Sequence, residues 1–167
     1  LGGLYAFYFY LFKAQSNLED GLKKFGKVSN KNYKNISGAL VHLSHTYWNL
    51  DGNYEEGRKL LEHSLMILKK YSAEDSLEFA RVLTALAGNY RELGHYEKAI
   101  HSINNSLSIY EKYYGESHIR IIENSYKLGA IYFEVGDYHR SGELLEKAFF
   151  LLKKYYPNHN KLSSDIL

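Results

Sequence analysis

Apolar side chains recur at three- and four-residue spacing along most of the chain. Leu83, Leu86, Tyr90 and Leu93 form one stripe, and Tyr96, Ala99, Ile103 and Leu107 form the next. This is the period of an amphipathic α-helix, in which apolar residues share one face. Between the two stripes stands Gly94, a residue suited to the left-handed backbone that ends a helix and lets the chain reverse within two or three residues. The pattern predicts pairs of antiparallel helices.

The pair itself repeats. Gly52, Gly94 and Gly136 fall 42 residues apart, and each is followed two residues later by a tyrosine: Tyr54, Tyr96 and Tyr138. Leu43-Ser44, Leu86-Ala87 and Leu128-Gly129 precede Tyr47, Tyr90 and Tyr132 in the same way. The glycine comes four residues after Tyr90 and Tyr132 but five after Tyr47, so Asp51 reads as a one-residue insertion in the turn. An earlier unit shows through Asn17-Leu18-Glu19-Asp20-Gly21, which echoes Asn53-Tyr54-Glu55-Glu56-Gly57. Near the end, Tyr156-Pro157-Asn158-His159 parallels the link from Tyr114 to His118.

The expected organisation is one repeat array over residues 1–167. It divides into a short unit at 1–33, full repeats at 34–75, 76–116 and 117–157, and the start of a further repeat or a capping helix at 158–167. Both ends break off within the pattern, as expected of a segment of a longer protein.

Local chemistry agrees with this division. Small residues at Ser44, Ala87 and Gly129, and at Gly57, Ala99 and Ser141, leave room for close approach of the paired helices. Asn53 and Asp137 stand where a side-chain oxygen caps the second helix of a pair, with Glu55, Glu56 and Glu97 in its positive first turn. Lys69-Lys70, Lys112 and Lys153-Lys154 close the same helices at their negative ends.

These residues carry a family resemblance. Leu86-Ala87-x-x-Tyr90-x-x-x-Gly94-x-Tyr96-x-x-Ala99 resembles the tetratricopeptide repeat signature, and the stretch from Leu128-Gly129 to Tyr138 is similar to it. The spacing of 42 residues exceeds the usual length of about 34. The link Tyr113-Tyr114-Gly115-Glu116-Ser117-His118 is similar to the connection between kinesin light chain repeats. The resemblance implies an all-α, right-handed superhelical solenoid of antiparallel helix pairs, here about eight to nine helices. It also implies binding of a partner protein or peptide in the groove lined by the first helix of each pair.

Projected from the buried stripe, Val41, His45, Trp48 and Asn49 face this groove from one repeat, and Arg81, Thr84, Gly88 and Arg91 from the next. Glu123, Tyr126, Ala130 and Phe133 face it from the third, with His42 and Lys127 at the border. Trp48, Arg91 and Phe133 hold equivalent places, an aromatic, cationic and aromatic row, and such residues are enriched where binding energy concentrates. A partner segment with an apolar anchor and acidic neighbours fits that row. The alternative is that Trp48 and Phe133 pack between helices. The lysine and asparagine clamp of chaperone-binding relatives is replaced here by Val41 and His45, then Thr84 and Gly88.

Composition narrows function further. Hydrophobic residues make up 45% of the 167 positions, ample for a continuous core. Twenty-one Lys and Arg against nineteen Asp and Glu leave a net charge of +2, too weak a field to imply nucleic acid. No cysteine is present, which removes disulfides and thiolate chemistry and fits the cytoplasm. The apolar run Leu1 to Phe12 is too short to span a bilayer and is closed by Lys13, so it reads as a core-facing helix, and no membrane association is expected.

His42 and His45 share a helix face without a third ligand nearby, and no metal is expected. Glycines are spread over the repeats instead of gathered into a phosphate loop, and no nucleophile motif occurs. Neither a cofactor nor a catalytic residue is expected. A protein-interaction scaffold or adaptor is the leading reading. A regulatory sensor attached to an effector domain, and a spacer that self-associates through exposed solenoid ends, are the alternatives.

Overall fold

Each glycine that ends the first helix of a pair adopts the left-handed conformation foreseen for it, with φ of 59° at Gly52, 72° at Gly94 and 82° at Gly136. The computed structural model describes residues 29–157, with Lys13, Ser16, Asn17 and Asp20 in helical backbone ahead of them. Six helices have described bounds: α1 (Tyr33–Asp51), α2 (Tyr54–Lys70), α3 (Leu77–Glu92), α4 (Tyr96–Tyr114), α5 (Ile119–Glu134) and α6 (Tyr138–Tyr155). The expected count of eight to nine is therefore not met among the described residues. The units placed at 158–167 and over most of 1–33, including the run from Leu1 to Phe12, lie outside them.

The one-residue insertion is absorbed by the helix instead of the turn. In the second and third pairs a backbone bond closes the turn over five residues, from His95 N–H to Tyr90 carbonyl at 2.7 Å and from Asp137 N–H to Tyr132 carbonyl at 2.9 Å. In the first pair the matching bond runs over six, from Asn53 N–H to Tyr47 carbonyl at 3.3 Å, and α1 continues through Asp51. Extending a helix keeps its backbone groups paired, whereas a longer turn would leave them to water.

Four of the six helices carry a side-chain cap at their start. Asn53 Oδ1 accepts from the Glu56 N–H, and Asp137 Oδ1 from the Arg140 N–H, both at 3.1 Å. Ser76 Oγ does the same for α3 at 3.2 Å, and His118 Nδ1 for α5 at 3.2 Å.

Three hairpins result, α1 with α2, α3 with α4 and α5 with α6, and each packs on the next through α2 against α3 and α4 against α5. One apolar cluster runs through them, taking Val41 from α1, Leu61 and Leu68 from α2, Ala80 and Val82 from α3, Tyr110 from α4 and Ile121 from α5. The small residues set how closely the helices meet. A Cβ at Gly57 would stand 2.8 Å from Asn89 Oδ1 and 3.3 Å from the Ser44 carbonyl oxygen, and one at Gly129 would stand 2.9 Å from Leu145 Cγ.

A polar seam recurs between the helices of a pair. Ser64 Oγ lies 2.6 Å from Ser37 Oγ, and one repeat later Ser106 Oγ donates to the Ala80 carbonyl at 2.8 Å. In the third pair the corresponding positions are Ala148 and Ile122, which pack as part of an apolar cluster.

Candidate interaction groove

The first helices of the hairpins bring one line of side chains onto a shared wall. Val41, His45 and Trp48 of α1 meet Arg81, Thr84 and Arg91 of α3 around a cavity of about 380 Å³, with Lys127 of α5 on its far side. Ile103 of α4 reaches the same cavity past the small residues Ala87 and Gly88. Its floor is thus apolar, and its sides carry charge.

Trp48 is held from two directions. Its ring meets Tyr54 edge-on at 5.6 Å between centroids, and its indole carbons lie where a Cβ on Gly88 would approach to 3.1 Å. The single tryptophan of the chain is therefore half-buried in the cavity wall, neither a free surface ring nor a core residue. Val41 contributes only an edge, since it is 2% exposed and belongs to the core.

Thr84 is committed inward. Its hydroxyl lies 2.7 Å from Ser106 Oγ and 3.1 Å from Asn124 Oδ1, joining α3 to α4 and α5.

Cations dominate the sides of the cavity, and their partners differ. Arg91 is bound by Glu134 of α5, with Nε donating at 2.8 Å and Nη2 making a second contact to the same oxygen. That hydrogen bond raises the arginine pKa above its ordinary value, and the charge at the centre of the expected aromatic and cationic row is already met. Arg120 donates to Glu123 Oε2 at 3.2 Å. Arg81 and Lys127 make no ion pair with any described residue.

Lys127 is exposed at the cavity's edge; desolvation beside the cavity lowers its pKa, against the opposing pull of Glu123. His45 is likewise lowered from about 6.5, first by burial and then by the charges of His42, Lys127 and Arg81.

Five expected groove residues, half-buried Ala130 among them, lie apart from the cavity. Asn49 is exposed beyond its rim, and Glu123 serves Arg120. Tyr126 packs on the cluster of Ile122, Ala148 and Leu152. Phe133 is 60% exposed and touches Tyr138 edge-on at 5.4 Å, the counterpart of the contact between Trp48 and Tyr54.

Arg120 was not foreseen, although it stands seven residues before Lys127 and so two turns along the same helix face. Ile103 was foreseen only as core. Among the described residues no group of three or more His, Asp or Glu is placed to hold a metal ion, and no helix is long and apolar enough to cross a membrane.

A family model described as tetratricopeptide repeat matches residues 35–112 and 78–154, two overlapping spans that take in most of the sequence. The chain belongs to the tetratricopeptide repeat family. Tetratricopeptide repeats are in general protein-interaction scaffolds without catalytic activity of their own. Among solved structures, the fold is similar to BtubC (BKLC) from P. vanneervenii, with a TM-score of 0.85 and 20% identity, over 93% of this chain and 62% of that one.

It is also similar to a putative kinesin light chain from Podosopora anserina with nearly identical TPR-like repeats, at a TM-score of 0.70 and 19% identity, over 91% of this chain and 76% of that one. The apo form of RapI matches at a TM-score of 0.66 and 19% identity, over 97% of this chain and 43% of that one. This tetratricopeptide chain thus spans less than two thirds of BtubC and less than half of RapI. No curated protein matches the sequence.

Proposed function

We propose that this tetratricopeptide chain is an adaptor that holds an extended segment of a partner protein in the groove formed by α1, α3 and α5. The segment carries an apolar residue that rests against Trp48 and the Ile103 floor, with acidic residues on either side. The observation that carries the reading is the cavity itself. It sets a half-buried indole and an apolar floor among four basic side chains, two of which, Arg81 and Lys127, make no ion pair with any described residue. A buried centre with a charged rim is the usual anatomy of a binding surface.

The role involves no chemistry on the partner, cofactor, nucleic acid or membrane, and the reading places the chain in the cytoplasm. The repeat units at 34–75, 76–116 and 117–157 ascend as a right-handed superhelix.

Trp48 is the sole tryptophan, so its emission reports directly on the cavity. A blocked Glu-Glu-Leu-Glu-Glu peptide, which has no tryptophan, should shift that emission saturably. Binding should weaken at least tenfold in Arg81→Ala and Lys127→Ala, each with helix content intact by circular dichroism. Emission that stays unchanged up to millimolar peptide, or equal affinity in both variants, would remove the reading.

A further inference from the structure

His45 is the one histidine of α1 that enters the cavity wall half-buried; its neighbour His42 is exposed at the border. The charged groups around it come from three helices. On its own helix there is His42. From α3 come Arg81, Arg91 and Glu92, with Glu78 one turn before Arg81 and on the side of His42, and from α5 come Arg120, Glu123, Lys127 and Glu134. The cavity wall supplied by α4 is the uncharged Ile103, and α2 approaches through Tyr54 against Trp48. The acids of this set stand beside arginines: Glu92 lies 4.0 Å from Arg91, Glu134 is bound to Arg91, and Glu123 is bound to Arg120. Among the described residues no carboxylate pairs with the imidazole, and the charges acting on it are positive.

We infer that seating an acidic side chain of the partner in this cavity drives one proton from solvent onto the His45 imidazole, so the groove holds its partner more tightly as pH falls. The inference rests on the groove reading above and adds its regulation. In the free protein, burial and the charges of His42, Lys127 and Arg81 keep the ring neutral at pH values where an ordinary histidine is half-charged. A carboxylate placed among Arg81 and Lys127 supplies the missing counter-charge. Only an N–H bond forms, with the proton taken from bulk water.

The sign follows from linkage. The ring binds its proton more tightly in the complex than in the free protein, so the gain is complete below the free-state pKa and absent above the bound-state pKa. Between the two, affinity falls as pH rises, by at most about tenfold per pH unit for a single proton.

The test uses the full 167-residue chain and the same blocked Glu-Glu-Leu-Glu-Glu peptide, at constant ionic strength, at pH 7.5 and 5.5. The peptide carboxylates stay largely ionised over that range, and any protonation of them weakens binding, the opposite direction. Trp48 emission should report several-fold tighter binding at pH 5.5. The gain should vanish in His45→Gln and persist in His101→Gln, which alters an exposed histidine of α4.

Calorimetry of the unaltered chain in two buffers of different ionisation enthalpy should show net proton uptake, a readout that does not depend on any variant folding. Equal affinity at both pH values with Trp48 still responding would overturn the proton coupling and leave the groove reading intact. An undiminished gain in His45→Gln, or heats independent of buffer, would overturn it as well. No Trp48 response at either pH would overturn both.

Discussion

The glycines within the helices differ in what a methyl group would meet, and their substitutions should differ in sign. At Gly57 the added carbon runs into Asn89 Oδ1 and the Ser44 backbone, and a backbone carbonyl cannot move aside. Gly57→Ala should therefore lose about 1–3 kcal/mol of stability in urea unfolding, the usual cost of overpacking. Gly142, inside α6, has open space around it, and Gly142→Ala should gain up to about 1 kcal/mol through helix propensity. Asn89 makes the first case testable as a coupling. Its Oδ1 is buried without a hydrogen-bond partner among the described residues, while Nδ2 donates to the Ala85 carbonyl at 3.3 Å. Combined with Asn89→Ala, the Gly57 substitution should cost measurably less than alone, and strict additivity of the two would show that they do not touch.

His45 also makes a stability prediction that needs no partner. Its pKa is lower in the folded chain than the ordinary value of about 6.5, by burial first and neighbouring cations second. As pH falls below 6.5 the unfolded chain takes up the proton before the folded one, so this stabilising difference is present above 6.5 and is lost as pH falls through the folded pKa. Melting temperature should decline from pH 7 towards pH 5, with a shallower decline in His45→Gln.

At the scale of the helix, the ends carry the checkable energetics. Removing the capping side chain in Asn53→Ala, Ser76→Ala or Asp137→Ala should cost about 1 kcal/mol each by chemical denaturation. Two of these caps were legible because Asn53 and Asp137 sit directly beyond the glycine that marks each turn. Ser76 was not, because the stretch between repeats carries little periodic signal. His118 escaped for a different reason: histidine is an uncommon cap, and nothing but the local geometry of Nδ1 at 3.2 Å from the Arg120 nitrogen reveals it.

The groove was legible in the same uneven way. Trp48 and Arg81 follow from projecting one helix stripe, but the pairing of Arg91 with Glu134 joins residues 43 apart on different helices, which periodicity within one helix does not show. Phe133 was given the same role as Trp48 because their positions match. In the structure Trp48 is walled in by Gly88 of the following repeat, and Phe133 remains largely exposed.

Across the whole molecule, contact is concentrated between helices adjacent in sequence, with a smaller contribution from α1 against α3. Stability in such a stack is a sum of repeat and interface terms, without a single all-or-none core. The helices α3 and α4 are flanked by described helices on both sides, so their amides should exchange last with deuterated water and those of α1 and α6 earlier. Uniform protection from α1 to α6 would show instead that the stack opens as one unit.

The serine seam carries a consequence for how such an array can be rearranged. Ser64 and Ser106 each satisfy a hydroxyl against the preceding helix, while the matching place in the third pair holds Ala148 against Ile122. The repeats therefore look interchangeable in outline but are not interchangeable parts. Grafting α6 behind α1 would strand the Ser37 hydroxyl against an alanine, and duplicating α4 behind α5 would set the Ser106 hydroxyl against isoleucine. An engineer extending this protein has to copy helices as matched couples.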